Sequence, residues 1–505
     1  MHRQNNNTKI NYVSELTGTG KTNHFINKTL QNTTGSFLVV VPNRELCDEI
    51  FENYKKHANR ITQSESEYDE YIKSICVIHQ NSVDSPSKRL KHELRKKNHR
   101  IVITTHASFL KGITIYPKIM SKWELIIDEE INIIHEHEID VTDVSKQTLH
   151  NLISMDQNYP FMDEIKQVLP KNQLLANNVA SGQISDDILS TRKIRDLCQY
   201  LTSPIYTTVT SDEYYEKFKV VNEQKEDDLS GKKVSKFYSM SILNIKVLSQ
   251  FKNVTIISSF FERTISYHML KTFYKCDMIR KELPNAYKSH PNSRLVNIHY
   301  FFEKNWTKTL RTKKVEHGKT VEDMVCTTIM SIIGDQKYLY NANVGSRDKF
   351  KNGVLASSIH GVNKYIHYKN LVFLPSLNAN NYLVNLLKKF GLQRKDIDFS
   401  RSVLSSYQFV SRGAIRNYRN EDQINLIVMD KRSADFLKSI FKEAKIKHHE
   451  LDIENKANRY KINNKIKSFK CRVERRMNNG ETIREATRQK YIEIMNDYYD
   501  VKIKA

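Results

Sequence analysis

The run Lys9-Ile10-Asn11-Tyr12-Val13-Ser14-Glu15-Leu16, continued by Thr17-Gly18-Thr19-Gly20-Lys21-Thr22, is the stretch from which the rest of the chain is read. Residues 9–16 alternate enough to predict a strand, and residues 23–30 read as the start of a helix. Glycine is scarce, 14 in 505 residues, yet two of them stand at positions 18 and 20. Between a strand and a helix, such glycines let backbone N–H groups turn toward phosphate oxygens, and the helix N-terminus adds a favourable dipole. In this reading Thr17, Gly18, Thr19, Gly20, Lys21 and Thr22 hold the phosphates of a nucleotide. Lys21 reaches the β- and γ-phosphates, and the Thr22 hydroxyl holds Mg²⁺. The strict pattern GxxxxGKT wants glycine at position 15, where this chain has Glu15.

Working outward, Ser36 to Val41 (SFLVVV) is a continuous apolar run of the kind a parallel strand buried on both faces requires. Residues 74–78, 100–105 (RIVITT) and 123–127 (WELII) are further strands, with a basic helical stretch at 85–97. Strands alternating with helices, with polar residues at their C-terminal ends, predict a parallel sheet whose site lies along that edge. Asp128 and Glu129 follow an apolar strand. A carboxylate at Asp128 would take Mg²⁺ through water, and Glu129 would polarise an attacking water.

This series resembles superfamily 2 helicases and their DEAD-like relatives, possible phage or mobile-element types included. Gly18-Thr19-Gly20-Lys21-Thr22 is similar to motif I and Pro42-Asn43-Arg44-Glu45-Leu46 to motif Ia. Ile103-Thr104-Thr105-His106 is similar to the next nucleic-acid-contacting motif, and Asp128-Glu129-Glu130-Ile131 to motif II. The resemblance implies an α/β fold of two RecA-like parallel-sheet domains, with ATP as substrate and Mg²⁺ as cofactor. It also makes Arg44, Thr104, Thr105 and His106 nucleic-acid contacts. Residues 253–257 form another buried-type strand ending in Ser258-Ser259, similar to motif III, where hydroxyls couple the two sites. In the second half, residues 295–302, 337–340, 353–357, 371–374 and 423–429 are strand-like. Ser358-Ile359-His360-Gly361-Val362-Asn363 resembles motif V, with His360 and Asn363 as nucleic-acid contacts. Tyr407 to Asn417 resembles motif VI, with Ser411 in place of glycine and one extra residue before the second arginine. Gln408 would face ATP, and Arg412 and Arg416, four apart on one helix face, would stabilise γ-phosphate charge.

The expected organisation is a first domain over 1–139, a helical insertion over 140–250 and a return to the first domain over 251–290. A second domain over 291–435 and a basic helical extension over 436–505 follow. His135-Glu136-His137-Glu138 reads as a solvated linker rather than a metal site, for it lacks four-ligand zinc spacing.

Eighty Lys and Arg against 57 Asp and Glu give a net charge of +23, and the pI is about 9.4. That excess favours a polyanion, and nucleic acid is the commonest one in a cytosol. DNA is preferred over RNA. A mean hydropathy of −0.59 and the lack of any long uncharged apolar run argue against a membrane span. The six cysteines, far apart, read as reduced thiols of a cytoplasmic protein. The basic, aromatic-bearing stretch 456–490 suits phosphate tracking, and the insertion or tail could take a protein partner. The expected activity is an ATP-dependent helicase or translocase acting in DNA replication, repair or recombination. The rival readings are a DNA-packaging ATPase, with Asp396 and Asp398 as its nearest nuclease pair, and an ATP-switched initiator or binder.

Overall fold

The computed structural model describes residues 8–79, 85–141, 143–160, 162–184, 186–189, 191–220, 235–284, 286–315, 318–350, 352–356, 363–453, 468–476, 478–479, 487 and 489–492. Within them the chain divides into two compact units. One comprises Met1–Pro291, Ser357–Ile366 and Asn378–Arg412; the other comprises Asn292–Ala356, His367–Leu377 and Gly413–Ala505.

The first unit is built on strands β1 (Lys9–Ser14), β2 (Phe37–Val41), β3 (Ile75–Ile78), β4 (Ile101–Thr105) and β5 (Glu124–Asp128). After an insertion carrying β6–β10, it is completed by β11 (Asn253–Ser258) and β12 (Asp277–Arg280). These seven form one all-parallel sheet in the order β12-β1-β11-β5-β2-β4-β3. All five residues of β2 are buried, as are those of β4, which is why both read as unbroken apolar runs. Leu38, Val40, Val102 and Ile127 are enclosed in the core; truncating Leu38 to alanine would cost about 2–5 kcal/mol.

The insertion differs from expectation. Where helices are expected, residues 134–243 contain a five-stranded antiparallel sheet. Its strands are β6 (Ile134–Val141), β7 (Ile153–Tyr159), β8 (Met162–Pro170), β9 (Tyr206–Ser211) and β10 (Ser235–Leu243), in the order β6-β10-β9-β8-β7. Helices Gln173–Ser181 and Arg192–Leu201 accompany it. The His135–Glu138 stretch is therefore not a solvated linker. It lies in β6, where His137 is buried and bonds the Ser241 hydroxyl at 2.8 Å. His135 packs its ring 4.6 Å from that of Tyr200. Burial pushes both imidazoles down, His135 to about 4 and His137 to about 3, so both are neutral near pH 7.

The segment 378–412 also joins this unit. Tyr382 stacks on Tyr238 at 4.8 Å and bonds its backbone carbonyl. Lys389 and Arg401 pair with Glu164 and Glu136 of the insertion.

The second unit carries β13 (Val296–Tyr300), β14 (Tyr338–Asn341), β15 (Val354–Leu355), β16 (Asn370–Phe373), β17 (Ile424–Val428) and β18 (Lys445–His448). They form a second all-parallel sheet in the order β15-β14-β16-β17-β13-β18. The two all-parallel sheets bear out the expected α/β fold class. β18 extends the sheet beyond residue 435, where a helical extension was expected, because it pairs in parallel with β13. Most of the basic stretch 456–490 lies outside the described residues.

Candidate active site

Strands β1, β11 and β5 are neighbours in the first sheet, so the segments leaving their C-terminal ends converge. From β1 the chain enters the loop Thr17–Gly20. Gly18 and Gly20 have φ of 81° and 80°, the left-handed region that side-chain-bearing residues resist. Gly20 then caps the helix Lys21–Gln31. Lys21 is buried, and its ammonium donates to the carbonyls of Glu15 and Leu16 at 2.8 and 2.7 Å and to the Ser259 hydroxyl at 3.1 Å. Lys21 thus lies folded along its own loop, satisfied by oxygens that phosphate oxygens would replace.

The Thr22 hydroxyl lies 3.3 and 3.2 Å from the two carboxylate oxygens of Asp128. Burial, together with the neighbouring Glu129 charge, pushes the Asp128 carboxyl up to about 7, with Lys21 and Thr22 opposing. A hydroxyl and a carboxylate in contact make the hard-oxygen donor set that Mg²⁺ prefers. Thr22 and Asp128 would hold the ion, which supplies charge neutralisation to phosphate oxygens when bound. Glu129 has φ 63°, an unusual backbone state for a non-glycine residue and one concentrated at functional sites. Its carboxylate accepts from the Ser258 hydroxyl at 3.2 Å. Ser258 and Ser259, expected as coupling residues, therefore touch Glu129 and Lys21 respectively.

The expected nucleic-acid contacts separate. Arg44 is exposed at the start of the helix Arg44–Ile61. Thr104 is fully buried and donates to the Ile78 carbonyl at 3.0 Å, so as placed it faces the sheet interior and not a polymer. Thr105 caps the helix His106–Gly112 through the Ser108 amide. The His106 ring bonds the Asp128 carbonyl at 3.0 Å, tying this segment to the carboxylate pair. His360 lies outside the described residues, and of the Asn363 side chain nothing is described.

Motif VI also departs from expectation. The helix Leu404–Val410 ends before Arg412, and Arg416 belongs to a separate short turn, Ala414–Arg416. The two arginines do not share a helix face. Gly413 stands between them, where an added Cβ would lie 2.7 Å from the Tyr368 carbonyl. The close approach leaves no room for a side chain at position 413. Gln408 and Arg412 are buried in the first unit, and Arg416 belongs to the second.

Residues 407, 290 and 287 add a feature that the sequence reading missed. The Tyr407 hydroxyl meets the Thr17 amide and hydroxyl, each at 3.0 Å, and His290 Nε2 at 3.1 Å. The Tyr287 hydroxyl donates to the Thr17 carbonyl. No local pattern joins positions 17, 287, 290 and 407, so only the tertiary fold shows the cluster. Tyr407→Phe strands a buried amide and is expected to lower stability by about 1–3 kcal/mol. Because Tyr407 acts through Thr17, the KM for nucleotide should rise more than kcat falls. Denaturant titration and steady-state kinetics check this; an unchanged midpoint and unchanged KM would mean that the hydroxyl does not order the loop.

Residues 6–163 match the family model of the DEAD/DEAH box helicases. No curated protein matches the chain. Among solved structures, "S. cerevisiae Dbp5 bound to RNA and ADP BeF3" is similar at 12% identity and a TM-score of 0.34, over 88% of this chain and 86% of that one. "DEAD-box helicase Mss116 bound to ssRNA and UDP-BeF" is similar at 10% identity and a TM-score of 0.36, over 88% and 72%. Mycobacterium smegmatis helicase Lhr bound to ssDNA and AMP-PNP is similar at 10% identity and a TM-score of 0.34, over 84% and 44%. These likenesses are loose, and the family match covers residues 6–163.

Proposed function

We propose, from the premise that residues 6–163 are a DEAD/DEAH box helicase domain and the chain an ATP-hydrolysing enzyme of helicase type, that it is a nucleic-acid-stimulated translocase or helicase acting on DNA. The observation that carries this reading is the convergence of Lys21, Thr22, Asp128 and Glu129 at one edge of a parallel sheet. Lys21 binds the β- and γ-phosphates, Thr22 and Asp128 hold Mg²⁺, and Glu129 orients the attacking water. Ser258 and Ser259 link Glu129 and Lys21 to the strand-end segment of β11, a route by which nucleotide state reaches the rest of the unit. Arg412 and Arg416 are assigned to γ-phosphate charge.

The charge excess of +23 supports a polyanionic partner. No helix among the described residues is long and apolar enough to cross a membrane. The packaging-motor reading loses its nuclease pair. Asp396 and Asp398 lie on the helix Arg394–Asp398, with Asp398 paired to Arg394 at 3.4 Å, and not at strand ends. A pure binder has no use for a water-orienting carboxylate at Glu129.

The test is ATP turnover with no polymer, single-stranded DNA, duplex DNA and RNA in parallel. Stimulation by single-stranded DNA above RNA is the expected result. Stimulation by RNA alone would overturn the DNA assignment, and no stimulation by any polymer would overturn the motor. Removing residues 456–505 should weaken polymer binding and flatten its salt dependence, each lost phosphate contact removing roughly 0.7–0.9 from the log–log slope. An unchanged slope makes the tail a solvated or partner-binding element.

A further inference from the structure

At the opposite side of the first sheet from β12, strand β3 forms the edge beyond β4. Cys76 of β3, Glu93 of the helix Pro86–Lys96 and His99 of the following loop bring a thiol, a carboxylate oxygen and a ring nitrogen within 4.8 Å of one another. We infer that these three side chains form a zinc site, with water as the fourth ligand, that pins the edge strand β3 to the helix Pro86–Lys96.

Three observations carry it. First, Glu93 is buried at 6% exposure, and the ion-pair partner recorded for it among the described residues is His99, at 2.9 Å. A buried carboxylate needs compensating charge. Zinc would balance the carboxylate and a Cys76 thiolate together, leaving the imidazole neutral. Second, His99 Nδ1 is sealed from solvent and lies 2.9 Å from the Glu93 oxygen, which also accepts from the His99 backbone amide at 2.8 Å. The ring nitrogen and the carboxylate oxygen therefore already face one point, the approach that two ligands of one cation require. Third, the backbone is fixed around the cluster. Lys97 takes a left-handed turn with φ 59°, and Leu90 and Leu94 pack the helix into the core beside Cys76.

Tetrahedral zinc with bonds of about 2.0–2.3 Å separates its ligand atoms by about 3.3–3.6 Å. Against that spacing, the widest separation, at most 4.8 Å, would have to close by about 1.2 Å and the 2.9 Å Glu93–His99 separation would open by about 0.4 Å. Burial and Glu93 push the Cys76 thiol upward, while Arg89 pulls it down; a bound metal would deprotonate it outright. The mixed sulfur, nitrogen and oxygen set selects zinc over Mg²⁺. The spacing Cys-x₁₆-Glu-x₅-His is not that of a zinc knuckle, which is why the sequence alone did not show it.

The experiment loads the full-length chain with zinc chloride, dialyses it and measures metal per chain by elemental analysis. The wild type should retain one equivalent, and Cys76→Ser and His99→Ala should bind at least about tenfold more weakly. Cobalt substitution should give a thiolate-to-cobalt charge-transfer band that Cys76→Ser abolishes, which separates this site from the all-oxygen set at Thr22 and Asp128. Should a variant fold poorly, the wild type decides. Chelation should lower its denaturant midpoint, and zinc should restore it. Absence of stoichiometric zinc, a cobalt spectrum that lacks the thiolate band, or a midpoint indifferent to chelation would each overturn the site.

Discussion

Arg416→Ala is expected to lower polymer-stimulated kcat by about 10³-fold or more, while nucleotide affinity changes little. A cation that meets transition-state charge in phosphoryl transfer is worth about 10³–10⁵ in rate, and one that meets it only then contributes nothing to ground-state binding. Arg416 suits the test better than Arg412. It is only half-buried and belongs to the second unit, whereas Lys21 and its loop belong to the first. Nucleotide binding at Lys21 should therefore survive its loss. Arg412, at 1% exposure, also fills core volume, so Arg412→Ala would mix lost rate with lost stability. Stimulation by nucleic acid should vanish in Arg416→Ala. Unchanged stimulated turnover would remove Arg416 from the reaction and leave Arg412 as the arginine to pursue.

Glu129→Gln is expected to bind nucleotide normally and turn it over about 10²-fold more slowly or worse, the scale of losing acid–base assistance. The amide keeps the size of the side chain and can still accept from the Ser258 hydroxyl, now 3.2 Å from the carboxylate. The unusual backbone at Glu129 should be retained as well, since its amide bonds the Ile257 carbonyl at 2.7 Å. What disappears is the negative charge that would orient water. Equilibrium binding of a fluorescent nucleotide, set beside single-turnover hydrolysis, separates the two effects. Wild-type hydrolysis would move the general base elsewhere.

The parts of the fold that were legible in the sequence share one physical cause. Parallel strands buried on both faces must be apolar throughout, so SFLVVV and QINLIV announce β2 and β17 without any partner in view. The insertion obeys a different rule. In β6 the buried His137 and Ile139 are flanked by the exposed Glu136 and Asp140, so IHEHEIDV looks polar although His137 is inside. Histidines that burial keeps neutral carry no sequence mark of being core.

The site divides in the same way. The phosphate loop and the carboxylate pair were legible because each is a local constellation at a strand end. The Tyr407–Thr17–His290 cluster joins residues 117 and 390 positions apart and has no local signature. The helix end at Val410 was missed because periodicity alone places Arg412 and Arg416 on one face. The close approach of Leu371 and the Tyr368 carbonyl to Gly413 comes from a distant strand and the segment before it, which no local pattern shows.

Steady-state ATP turnover by the wild type and by Lys21→Ala, each with and without single-stranded DNA, asks whether ATP is hydrolysed at the Lys21–Asp128–Glu129 edge and whether nucleic acid controls the rate. Turnover by the wild type should rise with DNA, and Lys21→Ala should show neither basal nor stimulated turnover. Equal turnover by the two proteins, or wild-type turnover indifferent to DNA and to every other polymer, would refute polymer-controlled hydrolysis at this edge.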